Sequence, residues 1–215
     1  MRTALIIGAS RGIGLELARQ YLHDGWRVLA TARRSEDCDS LTAMGAQAFQ
    51  VDVTELDAIE ALGTSLAQES LDVAFLNAGM FGPRHDGPPT QEEFDAVMHT
   101  NVLAAMRILP MLAPLADKVG VLSSAMGSIG ERSAANATLY RASKAALNSV
   151  LVDTALSSQA TCVALHPGWV KTDMGGAGAQ LDVEVAVAGL RATMERITPD
   201  YDSSFLNYDG TPIPW

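Results

Sequence analysis

The sequence has little cysteine, little positive charge and no long apolar run, and each shortage excludes a class of protein. Only two of the 215 residues are cysteines, Cys38 and Cys162, and they form no CxxC pair. This usage indicates a reducing compartment without a disulfide framework, so we expect a cytoplasmic protein. The 15 Lys and Arg residues are outnumbered by 25 Asp and Glu residues. No basic stripe is present for nucleic acid or for an anionic membrane, and we expect neither as a partner.

No apolar run approaches the roughly 18 residues of a membrane span, so none is predicted. The N-terminal residues 1–7 lack the apolar length and the cleavage site of a signal peptide. His85, His99 and His166 are scattered with no clustered carboxylates, so no metal site is predicted. The chain length suits one buried core better than two, and we expect a single domain over residues 1–215.

Short apolar runs alternate with longer helical patterns along the chain. Most of the runs lack polar alternation, which is typical of strands buried on both faces of a parallel sheet. The predicted strands are 3–7, 27–31, 46–51, 72–76, 118–123, 161–165 and 204–208. The predicted helices are 12–24, 54–69, 91–112, 139–156 and 183–197, with Thr54 as a candidate N-cap. This rhythm predicts a Rossmann-like, doubly wound α/β domain with a mostly parallel sheet.

A glycine-rich turn with the sequence Gly-Ala-Ser-Arg-Gly-Ile-Gly links the first predicted strand to the first predicted helix. Glycines let the backbone approach a pyrophosphate closely, and the helix N-terminus offers free N–H groups to that anion. The spacing is GxxxGxG rather than GxGxxG, and no P-loop lysine follows. We expect this turn to bind a dinucleotide, with a purely structural turn as the alternative; its predicted contacts are Gly8, Ser10, Arg11, Gly12, Ile13 and Gly14.

The end of the second predicted strand indicates which dinucleotide is bound. An NAD site carries an acidic residue there, whereas an arginine accommodates the 2′-phosphate of NADP. Residues 31–34 read Thr-Ala-Arg-Arg, and no carboxylate follows until Glu36. Arg33, together with Arg11 of the glycine turn, therefore predicts a preference for NADP(H) over NAD(H). Solvated surface arginines are the alternative interpretation.

Tyr140 and Lys144 lie one helical turn apart on a shared face of a predicted helix. A free phenol has a pKa of about 10, and a nearby ammonium would lower it toward neutral pH. Upstream, Ser123 and Ser124 end a predicted strand, where a hydroxyl can orient a carbonyl; we prefer Ser124. By itself, such a tyrosine–lysine pair on a helix is commonly a pair of solvent-exposed residues without a function. After a glycine turn, it predicts an oxidoreductase that uses Tyr140 as acid and base.

In order and spacing, these motifs resemble the short-chain dehydrogenase/reductase family over nearly the whole chain. The matching positions are Gly8, Gly12, Gly14, Asp52, Asn77, Ala78, Gly79, Asn101, Ser124, Tyr140, Lys144, Pro167 and Gly168. Residues 140–148, 166–174 and the tail 205–215 are similar to the C-factor and sniffer-like branch of carbonyl reductases. The resemblance implies a seven-stranded sheet of order 3-2-1-4-5-6-7 and hydride transfer between nicotinamide and a carbonyl or alcohol carbon.

The resemblance also implies a role for each matching residue. Tyr140 would protonate the carbonyl oxygen, Ser124 would hydrogen-bond that oxygen, and Lys144 would bind the nicotinamide ribose. Asn101 would hold a water that relays protons, with backbone bracing as the plainer alternative. Further cofactor contacts are implied for Asp52, Val53, Asn77, Ala78, Gly79, Pro167, Gly168, Val170 and Thr172. Ile7 replaces the threonine of the family pattern, so no hydroxyl bond from that position is expected.

The substrate, the oligomer and two rival functions complete the expectations. A small carbonyl or alcohol substrate would contact apolar, adaptable side chains, for which the candidates are Met80, Met126, Trp169 and Met174. The family often pairs through the helices predicted here at 91–112 and 139–156, so a homodimer or homotetramer is expected. One rival is a regulatory or signalling protein that binds NADP with little turnover. The other is a different Rossmann enzyme, such as a methyltransferase. Lys144 and Arg33 would have no obvious role in such an enzyme, which counts against it.

Overall fold

The structure of the protein is a computed structural model, which describes residues 1–85 and 87–215. Its strands are β1 Thr3–Ile7, β2 Arg27–Ala32, β3 Gln47–Gln50, β4 Val73–Leu76, β5 Lys118–Leu122, β6 Thr161–His166 and β7 Ser204–Asn207. Its α-helices are α1 Gly12–His23, α2 Ser35–Ala43, α3 Leu56–Leu66, α4 Gln91–Met98, α5 Ala104–Leu112, α6 Thr138–Leu156 and α7 Val183–Arg196. The alternation of strands and helices follows the predicted rhythm.

The seven strands form one sheet of order β3-β2-β1-β4-β5-β6-β7. Each neighbouring pair is parallel, as in the register that pairs Leu5 with Leu29 on one side and with Ala74 on the other. The predicted fold class and strand order are thereby confirmed. Because all strands run the same way, their carboxyl ends meet at one edge, where open α/β sheets bind their ligands.

Helices cover both faces of the sheet, and alternate residues of each strand face one cover or the other. In β4, Ala74 and Leu76 pack in the core beside α3, α5 and α6. Val73 and Phe75 pack in the opposite core, beside α1, α2 and α7. This two-sided burial explains why the strands read as unbroken apolar runs rather than as polar–apolar alternation.

Two local predictions differ from the structure. Helix α2 was not predicted, because its sequence is largely polar and Leu41 is its one buried residue. Thr54 is not the N-cap of α3, so that prediction was wrong. The helix begins at Leu56 with Glu55 at the cap, and Thr54 instead donates its backbone N–H and its hydroxyl to the carboxylate of Asp52.

The predicted helix 91–112 is divided by a π-helical turn, His99–Leu103, between α4 and α5. Thr90 caps its start in a reciprocal capping box with Glu93. The segment Gln91–Leu115 is long and apolar enough to span a membrane by composition alone, but half of its most apolar stretch is buried in the protein. The buried side packs in the core on the α3 side of the sheet, which accounts for its apolar character.

Candidate active site

A cleft of about 840 Å³ runs along the carboxyl edge of the sheet. Most of the predicted cofactor residues line it, namely Gly8, Ser10, Arg11, Gly12, Ile13, Arg33, Asp52, Val53, Asn77, Ala78, Gly79, Tyr140, Lys144, Pro167 and Thr172. Gly14, Gly168 and Val170 lie behind this lining. The fold therefore gathers residues that are far apart in sequence around one elongated space.

The glycine turn is packed too tightly for larger residues. A Cβ on Gly14 would lie 2.1 Å from the carbonyl oxygen of Gly8 and 2.6 Å from Nδ2 of Asn77. That amide nitrogen donates to the same Gly8 oxygen at 2.6 Å. Helix α1 then begins without a side-chain cap and without an acidic residue in its first turn. Its N-terminal N–H groups are therefore available to an anion.

Backbone and hydroxyl groups take over the bracing that a threonine at position 7 would give. The Ile7 carbonyl accepts hydrogen bonds from the backbone N–H groups of Asn77 and Ala78 at 3.0 and 2.9 Å. From the other side, the Thr31 hydroxyl accepts the N–H of Gly8 at 2.9 Å. Thr31 is a supporting residue that the sequence did not reveal, because its role depends on β1 and β2 being neighbours.

Three arginines surround Asp37 at the end of the cleft. Arg34 makes a bidentate ion pair with the Asp37 carboxylate, with distances of 3.0 and 2.9 Å. This hydrogen bonding is the main reason that the pKa of Asp37 is lowered, and the charges of Arg34, Arg11 and Arg33 add to the effect. Arg11 also reaches Asp173 at 3.0 Å, in an exposed pair. The two loops that carry the arginines are thus close together, as the sequence predicted.

Asp52 stands on the opposite wall of the same end of the cleft. Burial acts to raise its pKa, but hydrogen bonds from Thr54, together with nearby positive charge such as that of Arg33, leave the pKa below its usual value. Both bonds fall on Oδ1, at 3.0 Å from the Thr54 backbone and 2.7 Å from its hydroxyl. The carboxylate is therefore ionised and fixed in orientation.

Tyr140 and Lys144 lie one turn apart in α6, and both are buried. The Lys144 ammonium donates to the carbonyl oxygen of Leu122 at 2.8 Å and lies 5.8 Å from the centre of the Tyr140 ring. Burial lowers the pKa of Lys144 to about 8. Burial also raises the pKa of Tyr140, against the opposing effect of a hydrogen bond with Ser124. The prediction that the ammonium lowers the phenol pKa was wrong for this geometry, because burial raises that pKa and Lys144 contributes no opposing shift.

The two serines after β5 have different partners. Ser123 borders the cleft, but its hydroxyl donates to Oδ1 of the buried Asn148 at 2.5 Å. Ser124 accepts the N–H of Met126 at 3.1 Å, which caps the short 3-10 turn Ala125–Gly127. The Ser124 hydroxyl also lies close enough to Tyr140 to act against the rise in the pKa of the phenol. The structure thus brings Ser124, rather than Ser123, to the phenol.

Asn101 occupies the π-helical turn and connects three parts of the site. Its Oδ1 accepts the N–H of Met80, and its Nδ2 donates to the Met80 carbonyl, both at 2.8 Å. The second Nδ2 hydrogen goes to the Ser143 hydroxyl at 2.9 Å. Both amide hydrogens are therefore used within the protein, which favours the bracing interpretation of Asn101.

Two of the four predicted substrate residues line the cleft, and two do not. Met80 and Met174 are part of its wall. Trp169 is 59% exposed, packs against Gly178 and donates its indole N–H to the Gly175 carbonyl. Its side chain therefore supports the following loop rather than the cleft. Met126 belongs to the 3-10 turn after Ser124 and is likewise absent from the lining.

Phe81, an expected part of the pocket wall, and Arg84, which the sequence did not reveal, form a further cluster beside Tyr140. The Phe81 ring stacks on the Tyr140 ring with centroids 4.6 Å apart and planes 29° apart. The Arg84 guanidinium lies 4.7 Å from the centre of the Phe81 ring. Arg84 also donates to the carbonyl oxygen of Met174 at 2.6 Å. Loop contacts of this kind arise only in the folded chain, so no sequence pattern signals them.

A Rossmann-type oxidoreductase site is defined by three features together: the order of the strands in the sheet, the glycine turn and the buried tyrosine–lysine pair. An uncapped helix N-terminus, an arginine cluster and a fixed carboxylate fit the pyrophosphate, the 2′-phosphate and the adenine of a dinucleotide. The chain belongs to the short-chain dehydrogenase family, whose model matches residues 2–181. The family predicted from the sequence is therefore confirmed.

Individual relatives agree with the family match over their full lengths. The chain is 32% identical to 1-hydroxy-2-glutathionyl-2-methyl-3-butene dehydrogenase of Rhodococcus sp. (strain AD45), with 100% of both chains covered. Carbonyl reductase Sniffer of D. melanogaster has a TM-score of 0.92 at 28% identity, again with full coverage of both. A carbonyl reductase from Pseudomonas aeruginosa PAO1 in complex with NADP has a TM-score of 0.84 at 33% identity and full coverage.

Proposed function

We propose that this protein is an NADPH-dependent carbonyl reductase that acts on C=O groups and, in reverse, on CH–OH groups. The cofactor supplies the hydride, and the protein supplies orientation and the proton. One observation carries the proposal: Tyr140 lines the cofactor cleft, one helical turn from Lys144 and beside the Ser124 hydroxyl. NADP-bound carbonyl reductases of the same fold support it.

The cofactor is held by charge and backbone along the cleft. The N-terminus of α1 and the glycine turn would bind the pyrophosphate through their free N–H groups. Arg11 and Arg33 bind the 2′-phosphate with charge-assisted hydrogen bonds, which selects NADP(H) over NAD(H). Asp52 accepts from the adenine amine. The segment 77–79 lines the ribose, and Thr172 bonds the carboxamide.

Tyr140 acts as the acid during carbonyl reduction. Burial raises its pKa, so the phenol is protonated at neutral pH and has a proton to donate. Ser124 holds the carbonyl oxygen beside the phenol, because its hydroxyl already contacts Tyr140. Lys144 is anchored by the Leu122 carbonyl and binds the nicotinamide ribose. Asn101 braces the Gly79–Met80 backbone against α6.

The proposal also covers the substrate, the cellular compartment and the oligomeric state. Met80, Phe81 and Met174 offer an apolar, adaptable wall, which suits a small carbonyl compound with a hydrophobic part. We place the protein in the reducing cytoplasm as a single domain over residues 1–215. Helices α4 to α6 expose apolar side chains, among them Met106 and Leu156, and these support pairing of two chains.

The test is NADPH oxidation measured against a panel of aldehydes, ketones and quinones. We expect turnover of some of them, and a fall in kcat of about a thousandfold in Tyr140→Phe, since general acid catalysis contributes about 10²- to 10⁴-fold. The Kd of NADPH should stay within a factor of about two. As a control, Tyr201→Phe removes an exposed hydroxyl and should leave kcat unchanged. Tight NADPH binding without turnover of any compound would instead favour the regulatory alternative.

A further inference from the structure

Arg84 lies beside the site of proton transfer, separated from the Tyr140 ring by the ring of Phe81. The guanidinium is 4.7 Å from the Phe81 ring centre, and Phe81 is stacked on Tyr140. A substrate whose carbonyl oxygen meets the Tyr140 hydroxyl therefore has its distal end within reach of Arg84. The separation between the Tyr140 ring and the Arg84 guanidinium corresponds to two successive stacking contacts, and a benzene ring or a short chain can span it.

The Arg84 side chain is held in place by two contacts. Its Nη2 donates to the carbonyl oxygen of Met174 at 2.6 Å, and Met174 lines the cleft. Phe81 supports the flat face of the guanidinium. A guanidinium has five N–H donors, and Met174 takes one of them. A held arginine loses less conformational entropy when it binds a ligand, so its remaining donors are well suited to recognition.

The carboxylates of Asp173 and Glu93 have other partners. Asp173 precedes Met174 but pairs with Arg11 at 3.0 Å. Glu93 pairs with His85 at 3.0 Å and accepts the backbone N–H of Thr90. Over residues 1–85 and 87–215, no carboxylate lies within ion-pair distance of Arg84. The guanidinium adds a positive charge beside the stacked rings of Phe81 and Tyr140, in a protein whose formal net charge is −10.

We propose that Arg84 determines substrate specificity by binding a carboxylate at the far end of the carbonyl substrate. The inference rests on the proposed function and adds a substrate class to it: aldehydes or ketones that carry a carboxylate about one ring away from the carbonyl. Guanidinium and carboxylate match as a planar, bidentate pair. The Phe81 ring excludes water from one face of the guanidinium, which strengthens the interaction.

The experiment compares two substrates of nearly equal shape, 4-carboxybenzaldehyde and its neutral methyl ester, with NADPH at low salt. The wild-type protein should reduce the acid with a kcat/KM about tenfold higher than the ester, in line with hydrogen bonds to charged groups. Arg84→Gln should abolish this preference by raising KM for the acid, with little effect on the ester. Arg84→Lys keeps the positive charge but not the planar, bidentate donor group. It should therefore keep part of the preference for the acid over the ester. Raising the salt concentration should reduce the advantage of the acid.

The control is Arg2→Gln, which removes one positive charge beside β1 at the edge of the sheet opposite the cleft. It should leave the preference for the acid unchanged. Equal kcat/KM for acid and ester in the wild type, or an equal loss for both in Arg84→Gln, would overturn the role of Arg84 and leave the proposed function standing. Turnover of neither aldehyde, together with silence across the wider panel, would contradict the proposed function and this inference with it.

Discussion

The ammonium of Lys144 donates a hydrogen bond to the main-chain carbonyl of Leu122 at 2.8 Å and lies 5.8 Å from the centre of the Tyr140 ring. Both side chains are buried, and burial disfavours the charged form of each. It lowers the pKa of Lys144 to about 8 and raises the pKa of Tyr140. The protonation of this pair is therefore governed by desolvation, and that has consequences for stability as well as for chemistry.

The first prediction concerns the pH dependence of stability at Lys144. The folded-state pKa of about 8 lies below the ordinary lysine value of 10.5, so the unfolded chain binds the proton first as the pH falls. Burying Lys144 therefore costs nothing well above pH 10.5 and progressively more as the pH falls to about 8. Lys144→Met removes this cost. Its free energy of unfolding relative to wild type should rise by about 2 kcal/mol between pH 10 and pH 7.

Denaturant unfolding at several pH values measures this difference. The loss of the bond to the Leu122 carbonyl destabilises Lys144→Met equally at every pH, so the informative quantity is the slope against pH. Lys171→Met serves as the control, because Lys171 is exposed and pairs with Asp182. A pH-independent difference between wild type and Lys144→Met would show that Lys144 is not a desolvated, titrating group.

The second prediction separates the adjacent serines after β5. Ser124→Ala removes the hydroxyl that contacts Tyr140, so kcat should fall by about a hundredfold while stability changes little. Ser123→Ala leaves the buried Asn148 without its partner, which should lower the free energy of unfolding by about 1–3 kcal/mol. Its kcat should stay within about threefold of wild type. Steady-state kinetics and thermal unfolding of both variants check this, and the reverse pattern would reassign the hydroxyl to Ser123.

The third prediction tests cofactor selection at the arginine cluster. Arg33→Asp replaces a cation that lines the cleft with an anion that repels the 2′-phosphate and suits the ribose hydroxyls of NADH. The ratio of kcat/KM for NADPH to that for NADH should fall by about a hundredfold. Most of the change should appear in KM. Arg2→Gln, which is remote from the cleft, should leave the ratio as it is. An unchanged ratio in Arg33→Asp would remove this residue from cofactor selection.

The sequence predicted the sheet and the cofactor side of the cleft better than the substrate side. Unbroken apolar runs identify the buried strands. The glycine turn comes directly after β1 in the chain, and Arg33 comes directly after β2, so both could be placed at the carboxyl ends of predicted strands. The π-helical turn at Asn101 is invisible because the apolar periodicity continues across it from α4 into α5. Neither the outward direction of Trp169 nor the stack of Arg84 on Phe81 has a local signal. Both depend on which loops meet after the chain has folded.

The last prediction follows from the three hydrogen bonds of Asn101. Asn101→Ala would leave the part-buried N–H and carbonyl of Met80 without the partner that holds them. A fully buried unsatisfied group costs about 1–3 kcal/mol and partial exposure reduces that cost, so the free energy of unfolding should fall by about 2 kcal/mol. Because Gly79 borders both Asn101 and the Lys144 ammonium, the Gly79–Met80 backbone should also shift, and KM for NADPH should rise.

Asn148→Ala provides the matched control, since it removes a buried asparagine whose Oδ1 accepts the Ser123 hydroxyl and which lies outside the cleft lining. It should lose stability without a comparable change in KM for NADPH. If Asn101→Ala kept its stability and its KM while kcat alone collapsed, bracing would not be its role, and the proton-relay interpretation of Asn101 would be preferred. The observed contacts instead require that Asn101→Ala lowers the free energy of unfolding and raises KM for NADPH. Any fall in kcat should be no larger than the rise in KM.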